Sequence, residues 1–495
     1  MSTFYDVAEA HPDRLAVLAP DGRSATFGEL AARANRLTHA LRRLGLREGD
    51  GVVAIVHNGL PYFELLFATL QAGMYFTPVN YRSSAEEIAY VVENSGARVV
   101  VADADIAREC SLDVPRFSVG AADGWEDYAS WGENESSTPP EPRTAGQTML
   151  YTSGTTGRPK GVRRALSGKP PSLHAIHRDL LAMMDVHPGP GVHLVACPLY
   201  HAAPGSFAVN AMHLGHSAVL MDKFDAEETL RLVERHRVTG THLVPTMFHR
   251  MLRLPEDVRA RYDLSSLTSV IHGAAPCPPE VKERMIDWLG PVVHEYYGAS
   301  EGLICGVTAS DWLKAPGTVG RTLTGVRLKV VDEDGAELPD GEPGTLYFSS
   351  AHTALDYLGD PEKTAAARSG EFLTVGDFGY RDAEGRVFLL DRRTDLILSG
   401  GVNIYPAEIE ARLLSHPDVA DAAVIGEPDD EWGQRVIAVV QPIPGVSGDD
   451  ALAARLAEHC RAALAGFKTP KRFDFTEQLP RTESGKMLRR TLRKD

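Results

Sequence analysis

Apolar residues recur along the first hundred positions at two spacings, and their alternation sets the expected fold. Leu30, Leu37, Leu41 and Leu44 fall at helical spacing, which predicts one buried helix face. Thr26-Phe27-Gly28-Glu29 precedes them with a hydroxyl and a carboxylate three residues apart, the form of a capping box. Glycines at 45, 49 and 51 interrupt the helix, and the uninterrupted apolar run at 52–56 reads as a strand buried on both faces. A second helical stretch at 60–72 leads into a strand at 75–79. This strand–helix–strand rhythm predicts a parallel sheet covered by helices. Residues 120–146 turn to Gly, Ser, Pro and acid, the composition of a surface connection. The α/β rhythm resumes from 147 to about 310. Strands and tight turns dominate 315–390, with turns expected at 332–335 and 382–385. After Asp391 a new unit begins, with helices at 407–414 and 451–464 and strands at 422–425 and 436–440. The expected division is a large region, 1–391, and a small one, 392–495.

At 495 residues the chain exceeds what one core supports, so more than one domain is expected. The net charge of −16, from 67 acidic and 51 basic residues, argues against a nucleic-acid-binding surface spread over the chain. The apolar runs are strand-sized, too short to span a membrane. The N-terminus lacks a basic region followed by an apolar one, so no secretory signal is expected. Cys110, Cys197, Cys277, Cys305 and Cys460 form no C-x-x-C and read as reduced thiols in the cytoplasm, with no cysteine metal site.

The segment carrying most chemistry is Thr152-Ser153-Gly154-Thr155-Thr156-Gly157, closed by Lys160. A loop of small and hydroxylated residues ending in a lysine offers backbone N–H groups, hydroxyls and a cation together, which is what polyphosphate oxygens require. It is not a G-x-x-x-x-G-K-[ST] loop, because glycine follows the lysine. It resembles, almost letter for letter, the phosphate loop of the adenylate-forming superfamily, which holds acyl-CoA synthetases, luciferases and peptide-synthetase adenylation domains. Further segments similar to that family's motifs follow in order. His272-Gly273-Ala274-Ala275-Pro276 resembles its adenine wall. Glu295-Tyr296-Tyr297-Gly298-Ala299-Ser300-Glu301 resembles its Y-G-x-T/S-E segment. Thr374-Val375-Gly376-Asp377 resembles its ribose-binding segment, and Asp391-Arg392-Arg393-Thr394-Asp395 its hinge. Ser399-Gly400-Gly401-Val402-Asn403-Ile404-Tyr405-Pro406 resembles its small-domain signature. Pro480-Arg481-Thr482-Glu483-Ser484-Gly485-Lys486 resembles its C-terminal P-x-T-x-x-G-K.

The resemblance implies an α/β fold: a large N-terminal region of β-sheets layered with helices plus a small β-barrel, and a small mobile C-terminal α+β domain. It implies an ATP- and Mg²⁺-dependent ligase that forms an acyl-AMP from a carboxylic acid and passes the acyl group to CoA. Thr152 and the loop would hold phosphates, with Tyr296, Gly298 and Ala299 in the nucleotide site. Tyr297 would stack on adenine, Ser300 would contact phosphate or substrate, and Glu301 would hold Mg²⁺. Asp377 and Arg392 would meet the ribose, and Lys486 would bridge substrate carboxylate and AMP. His201 matches an aromatic-or-histidine position that gates the acyl site, with Ala202, Phe207 and Gly273 as further pocket residues. Ala202, Ala203, Gly273, Ala274 and Ala299 suggest a roomy pocket. The hinge position, commonly Asp or Lys, is Thr394 here.

The superfamily also contains enzymes that use a carrier-protein thiol, an amine or nitrite; the last are diazotases acting on an aromatic amine. The adenylation motifs do not separate these acceptors, and the oligomeric state stays open. Gly298-Ala299-Ser300-Glu301-Gly302 also satisfies G-x-S-x-G, the serine hydrolase elbow. That elbow needs a helix directly after the serine, and residues 303–308 read as a strand.

Overall fold

The computed structural model describes residues 3–152, 159–351, 355–392, 395–399, 402–429, 432–482 and 487–492. The Thr26 capping box forms as expected and starts the helix Phe27–Arg43, which buries Phe27, Leu30, Leu37 and Leu41. Each such side chain contributes about 1.5–3 kcal/mol by leaving water. Leu44 departs from the expected face: it caps the helix through its N–H and is 39% exposed, because Gly45 turns the chain at φ +83°.

The apolar run forms the buried strand Gly51–Ile55, and the helix Leu60–Leu70 returns the chain to Tyr75–Pro78. Gly51–Ile55 pairs in parallel with Tyr75–Pro78 on one side and with Ala97–Asp103 on the other, in the six-stranded sheet. A second sheet has a parallel core of Leu15–Leu18, His216–Leu220, Gly191–Val195, Gly240–Leu243, Ser269–His272 and Val293–Ala299. The helices Phe27–Arg43, Leu60–Leu70 and Ala202–His213 contribute to one apolar cluster with strands of both sheets. The second sheet's other face packs on Ala226–His236, Pro245–Leu252 and Pro279–Leu289.

The second sheet then turns antiparallel through Gly302–Val307 and Thr318–Thr322, and continues into Val387–Arg392, Asp377–Arg381 and Gly344–Ser349. This is the small antiparallel layer expected over 315–390, hydrogen-bonded to the large sheet. Both expected turns form, at Asp332 and at Asp382. Leu150–Thr152, Lys160–Arg164 and Leu355–Tyr357 form a three-stranded antiparallel sheet.

A separate core begins at Ile397 and includes Ile409, Leu413, Val424, Val436, Leu452 and Leu456. The helices Pro406–Leu414 and Asp450–Arg461 cover the strands Val419–Asp429, Gly433–Pro442 and Arg472–Phe475. Arg253 of the large region donates to the Val419 and Ala420 carbonyls of this smaller unit. Four of the five cysteines are buried, and all are free. Among the described residues no helix is long and apolar enough to cross a membrane.

Candidate active site

Two neighbouring strand ends build one side of the site. Ser269–His272 and Val293–Ala299 run in parallel, with His272 opposite Glu295. The chain leaves the first strand at Gly273, where a Cβ would lie 2.5 Å from the Tyr296 ring. Ala274 follows at φ 68°, a left-handed conformation that strains a residue with a Cβ. Strand alternation sends Tyr296 and Tyr297 to opposite faces. Tyr297 donates to Asp377 Oδ2 at 2.6 Å, so the residues expected at adenine and ribose meet directly. Asp377 lies opposite Arg392 in the ladder. Tyr296 instead packs its ring 5.2 Å from Phe207, with its hydroxyl 3.3 Å from His242 Nε2.

Ser300 and Glu301 form the turn between Val293–Ala299 and Gly302–Val307. A Cβ on Gly298 would lie 2.8 Å from the Gly302 carbonyl oxygen, so glycine permits this tight hairpin. A strand follows the serine, which removes the hydrolase elbow. Glu301 is buried and accepts from the Tyr357 hydroxyl at 2.7 Å. Burial and the Glu301 carboxylate push the Tyr357 phenol well above its ordinary pKa, so it stays a donor. Arg164 donates to the Ser300 carbonyl at 2.6 Å; burial opposes its charge and Glu301 supports it.

On the other side of Tyr357, the Lys363 ammonium sits 4.3 Å from the ring centroid. Lys160 forms an ion pair with Asp360, which also accepts from the Lys363 backbone N–H at 2.9 Å. Hydrogen bonding from Lys160 is the largest influence holding the Asp360 carboxyl below its usual range.

Arg164, Ser300, Glu301, Tyr357 and Lys363 open onto a cavity of about 1250 Å³, which Tyr297 and Asp377 do not line among the described residues. Ala202, Ala203, Ala274 and Ala299 line it, as do His201, Phe207, His242, Tyr296, Ser300, Glu301 and Lys363. Gly273 and Lys160 do not line it among the described residues. Phe207 stacks on His242 at 5.1 Å. Burial depresses His242 to about 3 and His201 to about 4, so both imidazoles are neutral at pH 7.

Ser153 to Gly157, Thr394, Gly400, Gly401 and Lys486 lie outside the described residues. Their flanks are placed. Thr152 lies opposite Lys160 in the hairpin. Ala275 and Pro276 continue the loop after Ala274 and lead to the helix Pro279–Leu289. Arg481 makes an antiparallel bridge with Met487 and is fastened to Asp421 at 2.6 and 2.8 Å. Arg481, Thr482 and Leu488 line the cavity, which brings the C-terminal segment to the site.

Sequence reasoning missed Tyr357, Lys363, Arg164 and the pair Lys282–Glu295. Tyr357 is 56 residues from its carboxylate partner, so no local pattern joins them. Lys282 did leave a signal: it stands beside Val281 on the face that buries Met285 and Ile286, where a lysine requires a partner.

A family model described as AMP-binding enzyme matches residues 4–358, and one described as AMP-binding enzyme C-terminal domain matches residues 408–486. The chain belongs to this family of adenylate-forming enzymes. It is 32% identical to the fatty acid–acyl-carrier-protein ligase ScoC of Streptomyces coeruleorubidus, over 98% of this chain and 94% of that protein. It is 35% identical to a feruloyl-CoA synthase of Amycolatopsis sp, over 96% of this chain and 94% of that protein. The solved structure of the amide bond synthetase McbA from Marinactinospora thermotolerans superposes with a TM-score of 0.82 at 26% identity, covering 99% of this chain and 98% of that one.

Proposed function

We propose that this enzyme activates an aromatic carboxylic acid with ATP and transfers the acyl group to CoA. The observation that carries the reading is a single cavity that joins Ser300 and Glu301 to a pocket walled by Phe207, Tyr296 and two neutral histidines. Flat rings fit aromatic walls, and neutral imidazoles do not compete with Lys486 for the carboxylate. The relative named feruloyl-CoA synthase supports an aromatic acid and CoA, and the segment at 399–406 supports a thiol acceptor.

In the first half-reaction a carboxylate oxygen attacks the α-phosphorus of ATP. The bond from that phosphorus to the bridging oxygen breaks, and pyrophosphate leaves with the electron pair. The loop at 152–157 holds the phosphates, Tyr297 flanks adenine and Asp377 accepts from the ribose. Lys486, five residues after Arg481 in sequence, offsets charge between the two anions. A Mg²⁺ ion fits here: Glu301 is a buried carboxylate at the cavity wall, and Mg²⁺ takes one or two carboxylates plus phosphate oxygens. Glu301 would hold it, and it would supply charge neutralisation on the phosphates. We place the hinge at 391–395, between large and small domains, so that rotation withdraws Lys486 and brings 399–406 to the acyl adenylate.

Pyrophosphate release tests the reading, using benzoic, cinnamic, aminobenzoic and fatty acids with ATP and Mg²⁺, each with CoA, with a carrier protein, with nitrite or with no acceptor. Turnover that needs an aromatic acid and CoA is the expected result. A requirement for nitrite and an arylamine, or for a carrier protein, overturns the acceptor; preference for fatty acids overturns the acid.

A further inference from the structure

The lysine closing the phosphate loop, Lys160, is tied to Asp360 and stays out of the cavity lining. Another lysine enters it. Lys363 lines the cavity next to Glu301 and Tyr357 and extends from the short helix Pro361–Ala366, which begins beside Asp360. Its ammonium lies 4.3 Å from the Tyr357 ring centroid, and the hydroxyl of that ring holds Glu301 at 2.7 Å. Lys363 is thus packed on the ring that holds the carboxylate, and Arg164 donates to the neighbouring Ser300 carbonyl at 2.6 Å. Asp360 is already committed to Lys160 and to the Lys363 backbone. Burial and Lys160 both work against the Lys363 charge, and Glu301 and Asp360 follow as weaker supports. A partly buried ammonium at a cavity wall, with a second cation close behind it, is stabilised by an anion that enters the cavity.

We infer that Lys363 is a phosphate-binding residue that takes the β- and γ-phosphate end of ATP and holds pyrophosphate as it leaves. The inference rests on the adenylation reading and adds a residue outside the loop that the sequence singled out. As the bond between the α-phosphorus and the bridging oxygen breaks, the electron pair settles on pyrophosphate. An ammonium beside that oxygen stabilises the leaving group. AMP lacks both outer phosphates, so the contact acts on ATP and pyrophosphate and not on AMP or an acyl adenylate.

The test compares wild type, Lys363→Met and Lys363→Arg. Binding of magnesium pyrophosphate and of AMP is measured by calorimetry, which requires no acid to be turned over. Thioester formation from supplied acyl-AMP and CoA is measured alongside. Lys363→Met should weaken pyrophosphate about tenfold, the loss of one charge-assisted contact, and leave AMP within about twofold. Lys363→Arg should recover most of the pyrophosphate affinity, and the thioester step should be unchanged. Unchanged pyrophosphate binding in Lys363→Met overturns the assignment. So does equal weakening of AMP and pyrophosphate, which marks a merely structural role. If wild type binds pyrophosphate but no acid triggers its release, the functional reading fails while the Lys363 comparison still stands.

Discussion

Replacing Lys282 with methionine should cost the large domain several kcal/mol, and the cost should depend on pH. Lys282 is fully buried, with Nζ 2.6 Å from Glu295 Oε2 and 4.8 Å from the Trp312 ring centroid. Removing one partner of such a pair strands the other, a loss of about 3–5 kcal/mol. Protonation of Glu295 sets a ceiling. Its carboxyl has a reference pKa of 4.5, so holding it neutral at pH 7 costs about 3.4 kcal/mol, at about 1.4 per pH unit. Burial is the largest influence on Glu295 and raises its pKa, while Lys282 opposes that. His272, 3.6 Å away, does not replace the lysine, since burial holds it neutral. In the variant the folded pKa of Glu295 therefore stands above the unfolded value. Because burial leaves the Glu295 pKa raised even beside Lys282, the deficit should be up to about 3 kcal/mol at pH 7 and shrink by about 1.4 kcal/mol per pH unit as the pH falls. Urea unfolding across falling pH measures it. Lys282→Met with Glu295→Gln removes both charges and should recover to within about 1.5 kcal/mol of wild type. A deficit below about 1 kcal/mol at pH 7, or one independent of pH, refutes the reasoning.

Tyr297→Phe deletes the 2.6 Å bond to Asp377 and should raise KM for ATP about 3- to 10-fold, with KM for the acid unchanged, in steady-state pyrophosphate assays. Lys486→Ala should abolish adenylate formation and largely spare thioester formation from supplied acyl-AMP; equal loss of both steps contradicts the bridging role. Burial holds His193 and His242 at about 3, and His201, His213, His249 and His294 at about 4. Because these folded values lie below the unfolded 6.5, the stability they contribute is present above pH 6.5 and is lost as pH falls towards 4. Each should remove up to about 1.4 kcal/mol per pH unit. A urea midpoint that stays flat from pH 7.5 to 5 contradicts this.

The parts of the site legible in sequence are those where backbone geometry demands a particular residue. Gly298 and Gly273 stand where a Cβ would strike backbone or ring, and short motifs record such demands. Helix caps were legible for the same reason, since Thr26 and Glu29 are three residues apart. Leu44 was misplaced because periodicity does not mark where a helix ends, and Gly45 ends it one residue earlier. Charge placement was the illegible part. Lys160 looked like the cation facing the phosphates, but Asp360 holds it back across 200 residues of chain. Lys363, with no motif around it, is a lysine of the cavity wall, packed on Tyr357, the partner of Glu301. The Glu301–Tyr357 and Lys282–Glu295 partnerships are likewise made by tertiary packing between separate elements.

Adenylate formation is the central claim, and oxygen tracing tests it most directly. The aromatic acid that turns over best would be labelled with ¹⁸O in its carboxylate and incubated with ATP, Mg²⁺ and CoA, and the products read by mass spectrometry. Attack of the carboxylate on the α-phosphorus predicts one labelled oxygen in AMP and none in pyrophosphate. Unlabelled AMP, or label appearing in pyrophosphate or inorganic phosphate, contradicts the account.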